Sequence, residues 1–189
     1  MDSIYTFVFR GILADASLDA VGRQRRRQFG AEDEAKMRQS LSFEMLDNDR
    51  LTDARQMAIV YTAVHAFENS VREFVQGAMA EQYGENWWSN VPEKIRKKVT
   101  TRMEEDAKFR YHGSRGSSEI MYCDFGDMSS VIITNWSVFE DILVNLEWTK
   151  AVLDTLERAR NIVMHGGMLA REDIERVGMN IRDWIRQAG

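Results

Sequence analysis

Residues 52–84 read TDARQMAIVYTAVHAFENSVREFVQGAMAEQYG and contain the strongest structural signal in the chain. Apolar side chains recur there every three or four residues, the spacing that places them on one face of an α-helix. Thr52 can cap the start of such a helix, and Gly84 can end it. The stretch therefore predicts one helix of about 30 residues.

The rest of the chain shows the same periodicity. It predicts further helices over residues 4–20, 31–46, 92–109, 127–136, 137–145, 149–165 and 171–187. The 189 residues include a single proline, Pro92, at a position where a helix can begin. Residues 111–119 have the composition of a loop. Because no alternating run is long enough for a sheet, we predict an all-α fold, with an N-terminal helical extension over 1–48 and a main domain over 49–189.

Composition and charge exclude several classes of protein. The formal net charge of −5 argues against a protein that coats nucleic acid non-specifically, although an acidic protein can carry a small basic site. The lone Cys123 excludes a disulfide scaffold. The apolar stretch at 4–13 is interrupted by Arg10, lacks a basic leader and is shorter than the roughly 20 residues of a membrane span. We expect a cytoplasmic protein without membrane association.

Two sequence features that can indicate a metal site do not indicate one in this chain. The triplet at 124–126, Asp-Phe-Gly, matches the magnesium-binding triplet of protein kinases, but the chain lacks their glycine-rich and catalytic loops. The three histidines are far apart and lack the Glu-x-x-His pairs of a helical di-metal site. We therefore expect neither a metal nor another cofactor.

A polar group at the end of the predicted helix 149–165 is the remaining candidate site. The apolar stripe of this helix consists of Val152, Leu156, Ala159 and Val163. At about 100° per residue, Asn161 and His165 lie opposite that stripe and Arg160 lies on a flank. Arg158 shares the face of His165 and is an alternative partner. Outward polar groups contact water or a partner, and a C-terminal histidine can simply interact with the helix dipole. Geometry alone leaves catalytic and structural roles open.

The spacing Arg160-Asn161-x-x-x-His165 resembles the Arg-polar-x3-His motif of the HEPN superfamily (higher eukaryotes and prokaryotes nucleotide-binding). Other segments resemble its Swt-type branch in the same order. They are FENSVREF at 67–74, YGENWW at 83–88, FGD at 125–127 and NWSVF at 135–139. Together they span about residues 52–177, whereas residues 1–48 match no pattern. The resemblance implies a HEPN-like helical bundle.

The resemblance also implies a function. HEPN domains commonly dimerise with two copies of the motif facing each other, and many are metal-independent RNases acting on single-stranded RNA or tRNA. It implies a homodimer formed through the motif-bearing helix, an RNA substrate, and a role in phage defence or a toxin–antitoxin system. An antitoxin or an associated defence protein would then be a further partner. Two alternatives are a non-catalytic module that binds nucleic acid or a protein, and a purely structural dimerisation bundle.

In such a nuclease the RNA supplies its own nucleophile, the 2′-OH. The resemblance assigns His165 as general base or acid, since imidazole exchanges protons near neutral pH. Arg160 would hold the phosphate and stabilise the charge that develops on its oxygens. Asn161, one helical turn before His165, would orient the imidazole or bind a phosphate oxygen.

Further polar residues could support this site. Glu68 or Asn69 on the long helix could supply an additional contact, although Glu68 could equally pair with Arg72. A basic run at 23–27 could guide the RNA backbone. A second basic strip consists of Lys94, Lys97, Lys98 and Arg102. Either basic group could also be an ordinary solvated face.

Overall fold

The computed structural model describes residues 29–109, 111–143 and 145–188. Within these ranges it contains seven α-helices and no strand, which confirms the all-α prediction. The helices are α1 (Ala31–Ser40), α2 (Asn48–Tyr83), α3 (Glu93–Lys108), α4 (Phe125–Thr134), α5 (Trp136–Leu143), α6 (Leu146–Met164) and α7 (Arg171–Ala188). The predicted helix at 4–20 and the basic run at 23–27 lie outside the described residues.

The described residues up to Asp47 and those from Asn48 onward form two separate compact units. In the first unit, α1 buries none of its residues. The helix predicted over 31–46 ends earlier, because Ser42 adopts a left-handed φ of 52° before a short 3-10 turn. The Arg38 guanidinium lies 4.8 Å from the centre of the Phe43 ring in that turn.

Helix α2 is the central element of the second unit. Its inward face contributes Val60, Val64, Phe67, Val71, Val75 and Met79 to the core. The prediction of one long helix is confirmed. It starts at Asn48, earlier than predicted, so Thr52 is not its N-cap but lies within the helix, where its hydroxyl donates to the Asn48 carbonyl. It ends where Gly84 adopts a φ of +70°.

Three helices meet α2 around one aromatic side chain. Phe67 of α2 contacts Phe125 of α4 and Trp184 of α7, at ring-centre distances of 6.2 and 5.7 Å. Trp184 also stacks on Trp148 of α6 at 6.1 Å. This packing fixes α6 alongside α2, so that residues near Phe67 on α2 can approach the C-terminal half of α6.

Side-chain caps explain why α4 and α6 begin earlier than predicted. Asp124 accepts from the Asp127 N–H at 2.9 Å, and Asp127 accepts from the Asp124 N–H at 3.2 Å, which forms a reciprocal capping box. The Asp-Phe-Gly triplet is therefore a helix start. At α6, the Asn145 side chain accepts from the Trp148 N–H at 2.9 Å.

Candidate functional site

Two glycines fix the end of α6, so that His165 occupies the C-cap position. The Gly166 N–H donates to the Val163 carbonyl at 3.1 Å and the Gly167 N–H to the Ile162 carbonyl at 2.8 Å. This is the hydrogen-bond pattern of a Schellman motif. Gly166 has a φ of +76°, and a Cβ on Gly167 would lie 2.9 Å from the Ile162 oxygen. The backbone that carries His165 is therefore closely constrained.

The motif residues lie on the outward side of α6. Asn161 and His165 are exposed, and Arg160 on the flank is half-buried. Arg158 is exposed and lies beside Asn161 and His165 along a shallow, open depression of about 580 Å³. Its lining consists of α6 residues alone: Asp154, Glu157, Arg158, Asn161, Ile162 and His165. The structure thus brings Asn161, His165 and Arg158 to one depression, whereas Arg160 contacts Asn161 but lies outside this lining.

Glu68 connects α2 to the motif. The residue is buried, with 4% of its surface exposed. One carboxylate oxygen accepts from Arg72 Nη2 at 2.6 Å, and the other lies 3.6 Å from Arg160 Nε. The pairing of Glu68 with Arg72 is therefore present, and Glu68 also lies beside Arg160. Arg160 also donates from Nη1 to Asn161 Oδ1 at 3.2 Å, so the Asn161 side chain contacts the guanidinium of Arg160.

Arg72 anchors this network to the next part of the chain. It donates through Nε and Nη2 to the Cys123 carbonyl at 3.1 and 2.8 Å, and through Nη1 to Asn69 Oδ1 at 2.9 Å. Asn69 donates in turn to the His65 carbonyl at 3.1 Å. Asn69 therefore lies one step away from the motif and restrains Arg72. The Glu68 carboxylate is held from two sides.

Two of the four residues in the predicted basic strip on α3 form ion pairs with carboxylates at the start of α4. Lys98 donates to Asp127 at 2.7 Å and to Asp124 at 3.2 Å, and Arg102 donates to both carboxylates at 2.7 Å. We call these four residues the α3–α4 ion-pair cluster. Burial disfavours ionisation of Asp124, but hydrogen bonds from Arg102 and from the Asp127 backbone outweigh it and hold the Asp124 pKa well below its usual value.

The other two members of the strip face solvent. Lys94 and Lys97 are both exposed, and Lys97 pairs with Glu93 at 2.7 Å. The strip is therefore not the continuous row of four free cations that the helical spacing suggests, because α4 presents two carboxylates to half of it. Arg102 is partly buried and Lys98 is still exposed, but both form ion pairs with these carboxylates.

Two titratable groups near the network have raised pKa values. Burial, followed by the negative charges of Asp127 and Asp124, raises the pKa of the Cys123 thiol to about 12. The thiol is therefore protonated at neutral pH and is a poor nucleophile. Burial and the charges of Asp124 and Asp154 raise the pKa of Glu157.

Sequence spacing did not single out two polar residues near the motif. Glu157 lies one helical turn before Asn161 and lines the same depression, so its position at i−4 is a usable signal. Arg115 comes from the loop after α3 and lines a cavity together with Arg160. No periodicity connects a loop residue to a helix 45 positions later, so no comparable sequence signal identifies Arg115.

Two negative findings apply to the described part of the chain. No group of three or more His, Cys, Asp or Glu side chains is placed there to hold a metal ion. No helix in the described ranges is both long and apolar enough to cross a membrane.

Comparison with known proteins places the chain in a family. Residues 62–189, about two thirds of the sequence, match the family described as Swt1-like HEPN. This range includes Glu68 on α2 and the whole motif on α6. Searches of curated proteins and of solved structures each found no match. The helical bundle and the family match agree with the predicted resemblance, and the chain belongs to the Swt1-like HEPN family.

Proposed function

We propose that this protein is a homodimeric, metal-independent endoribonuclease that cleaves single-stranded RNA or tRNA. The observation that carries this proposal is the arrangement at the end of α6. Asn161 and His165 share an exposed face, and Arg160 beside them is restrained by the buried Glu68. A guanidinium that contacts Asn161, together with an accessible imidazole one helical turn after Asn161, is suited to a substrate that carries a phosphate and needs proton transfer.

The proposed reaction uses the ribose as nucleophile. The 2′-oxygen attacks the adjacent phosphorus, the bond from phosphorus to the 5′-oxygen breaks, and the products are a 2′,3′-cyclic phosphate and a 5′-hydroxyl. A base must remove the 2′ proton, and an acid must protonate the leaving 5′-oxygen. His165 can perform either transfer, because imidazole gains and loses a proton near neutral pH.

Arg160 and Asn161 would stabilise the charged phosphate. Arg160 uses Nη1 for Asn161 and Nε for Glu68, which leaves Nη2 without a hydrogen bond to any residue that the structure describes. Because Asn161 accepts through Oδ1, its amide N–H groups are available to donate to a phosphate oxygen. Restraint by Glu68 reduces the entropy that Arg160 loses when it binds phosphate.

The open depression on α6 supports a dimer. Its lining comes from a single helix, so one chain leaves the opposite wall of the site to another molecule. Exposed apolar side chains lie around the motif: Ile162, Met164 and Met168. In a two-fold symmetric interface these residues would meet their own counterparts and bring two motifs together. We further propose a role in phage defence or a toxin–antitoxin system, in which a second protein restrains the nuclease.

Cleavage assays test the proposed activity. Purified protein is incubated with labelled single-stranded RNA and with tRNA, with and without EDTA, alongside His165→Ala and Arg160→Ala. We expect cleavage that survives EDTA and ends in a cyclic phosphate, with the rate reduced at least about 100-fold in His165→Ala. His112→Ala, which removes an exposed loop histidine, is the matched control and should retain wild-type activity.

Other results would contradict parts of the proposal. Equal RNA survival with wild type and both motif variants rules out nuclease activity on these substrates, and retained RNA binding would then favour a non-catalytic module. Loss of cleavage in EDTA contradicts the metal-independent mechanism. Light scattering measures the oligomeric state, and a strict monomer that cleaves RNA would contradict the two-chain site.

A further inference from the structure

A small polar cavity of about 320 Å³ includes Arg160 in its lining and shares no residue with the α6 depression. Four arginines line it, contributed by α2, α3, the loop after α3 and α6: Arg72, Arg102, Arg115 and Arg160. We call it the arginine pocket. Two carboxylates, Glu68 and Asp124, also contribute to its lining. Its size is at the small end of ligand sites, which range over about 300–1,000 Å³.

The lining of the arginine pocket contains more cations than carboxylates, although the whole chain carries a net charge of −5. Its lining has four guanidinium groups and two carboxylates. Three further charged residues pair with the lining: Lys98, Asp106 and Asp127. These ion-pair partners and Glu157, which interacts with Asp124, bring the wider surroundings to five cations and five carboxylates, so the excess of positive charge is confined to the lining itself. A local excess of positive charge around a concave surface attracts an anionic ligand.

The four arginines differ in how fully their hydrogen bonds are used. Arg72 and Arg102, with side chains 12% and 20% exposed, are fixed by carboxylates and by the carbonyls of Cys123 and Tyr122. Arg160 is 35% exposed. Arg115 is 49% exposed, and its terminal nitrogens make no hydrogen bond within the described ranges. The donors with spare capacity thus lie on the more exposed arginines.

The loop that carries Arg115 is held in place. The Arg115 N–H donates to Asp106 Oδ2 at 3.3 Å, and the Tyr122 hydroxyl donates to the Gly116 carbonyl at 3.3 Å. The Arg115 guanidinium lies 5.8 Å from the centre of the Tyr122 ring. At Gly116 the chain passes so close to Met121 that an added Cβ would lie 2.7 Å from that side chain. Arg115 therefore projects from an anchored backbone.

We propose that the arginine pocket binds a second phosphate group of the RNA strand, next to the phosphate that is cleaved. Arg160 connects the two places, because it lines the pocket and also contacts Asn161 of the α6 depression. A strand lying along the depression would continue past Arg160 towards Arg115. Guanidinium groups bind phosphate oxygens through paired N–H donors, which suits Arg115 to this role. The proposal rests on RNA being the substrate of the proposed nuclease.

The test measures binding without cleavage. A short single-stranded 2′-O-methyl RNA lacks the 2′ nucleophile, so its affinity can be followed by fluorescence anisotropy even with active protein. Arg115→Gln should weaken binding about tenfold, the effect expected for a lost charged hydrogen bond. The slope of log affinity against log salt should become shallower by about 0.7, the value for one phosphate contact on a single strand.

Arg171→Gln is the matched control, because Arg171 is 87% exposed and pairs with Glu175 on α7. It should bind as the wild type does. Unchanged affinity and salt slope in Arg115→Gln would overturn the proposal, and so would an equal loss in Arg171→Gln. Since the strand cannot be cleaved, a failed nuclease assay leaves this result interpretable.

A second pair of strands identifies the source of the phosphate. One strand carries a 5′-phosphate and the other a 5′-hydroxyl. If both bind equally and both need Arg115, the pocket holds a phosphodiester within the strand. If only the 5′-phosphorylated strand depends on Arg115, the pocket holds a terminal phosphate, which contradicts its placement next to the cleaved bond.

Discussion

The α3–α4 ion-pair cluster and the end of α6 both contain several polar side chains, but these side chains differ in burial and in hydrogen bonding. In the cluster, Asp127 is 2% exposed and accepts from Lys98 and Arg102 at 2.7 Å. At the end of α6, Asn161 and His165 are exposed, and the His165 imidazole makes no hydrogen bond with any residue that the structure describes. Groups satisfied inside the fold contribute to its stability, whereas accessible groups with spare hydrogen-bonding capacity can bind a ligand.

The largest expected effect comes from removing a charge from the cluster. Asp127→Asn keeps the size of the side chain but leaves Lys98 and Arg102 short of one partner. Breaking a buried ion pair costs about 3–5 kcal/mol, and we expect a loss of about 3 kcal/mol in the free energy of unfolding, measured by urea denaturation. Asp173→Asn, in an exposed pair with Arg176 on α7, should cost less than about 1 kcal/mol.

Equal losses in Asp127→Asn and Asp173→Asn would mean that burial does not distinguish the two ion pairs. The cluster would then be an ordinary charged surface. The contrast with the end of α6 would have to rest on accessibility alone.

The glycine after His165 should show the next largest effect. Gly166 has a φ of +76°, a conformation that costs an L-residue about 1–2 kcal/mol. Gly166→Ala should therefore lower the free energy of unfolding by about 1–2 kcal/mol and also reduce RNA cleavage, since it disturbs the backbone that carries His165.

Gly77→Ala provides the control of opposite sign. Gly77 lies within α2, and an added Cβ there has no neighbour within 4 Å. Alanine in a helix is favoured over glycine by about 0.5–1 kcal/mol, so this variant should be more stable and equally active. Equal destabilisation of both variants in urea denaturation would contradict a special role for the glycine turn.

These two regions also differ in how far the sequence predicts them. The outward position of Asn161 and His165 follows from the helical angle and the apolar stripe of α6, so the exposed site could be predicted. The cluster could not, because the spacing of Lys98 and Arg102 describes only their own helix. Nothing in that spacing shows that α4 packs Asp124 against them.

The same limit applies to Glu68. Its spacing from Arg72 predicts a pair within α2, and the structure contains that pair. The interaction with Arg160 joins residues 92 positions apart and depends on how α6 packs against α2. The starts of α4 and α6 were missed for a more local reason, since Asp124 and Asn145 act as caps outside the apolar periodicity.

Acid pH should weaken the cluster selectively. The Asp124 pKa is lowered in the folded protein, so its stabilising contribution is complete above the unfolded value of about 3.9 and is lost as pH falls towards the folded pKa. The melting temperature of the wild type should therefore fall below about pH 4. Asp124→Asn, which preserves the N-cap, should melt lower at neutral pH and lose less on acidification.

Glu157 at the α6 depression should respond with the opposite sign. Its pKa is raised in the folded protein, so its contribution is complete below the unfolded value and is lost as pH rises through the folded one. Glu157→Gln should consequently be slightly more stable than the wild type at neutral pH, by a margin that shrinks on acidification. Melting curves across this pH range would contradict this assignment if the margin grew as the pH fell.

The smallest expected change in stability separates the two regions most directly. Asn161 and His165 are exposed, so Asn161→Ala and His165→Ala should each alter the free energy of unfolding by no more than about 0.5 kcal/mol. Urea denaturation of these variants would be paired with the RNA cleavage assay. Loss of cleavage without loss of stability is expected of side chains that bind a ligand and do not stabilise the fold. If His165→Ala instead destabilised the protein as strongly as Asp127→Asn, the end of α6 would be structural, and its hydrogen-bonding capacity would not be available to RNA.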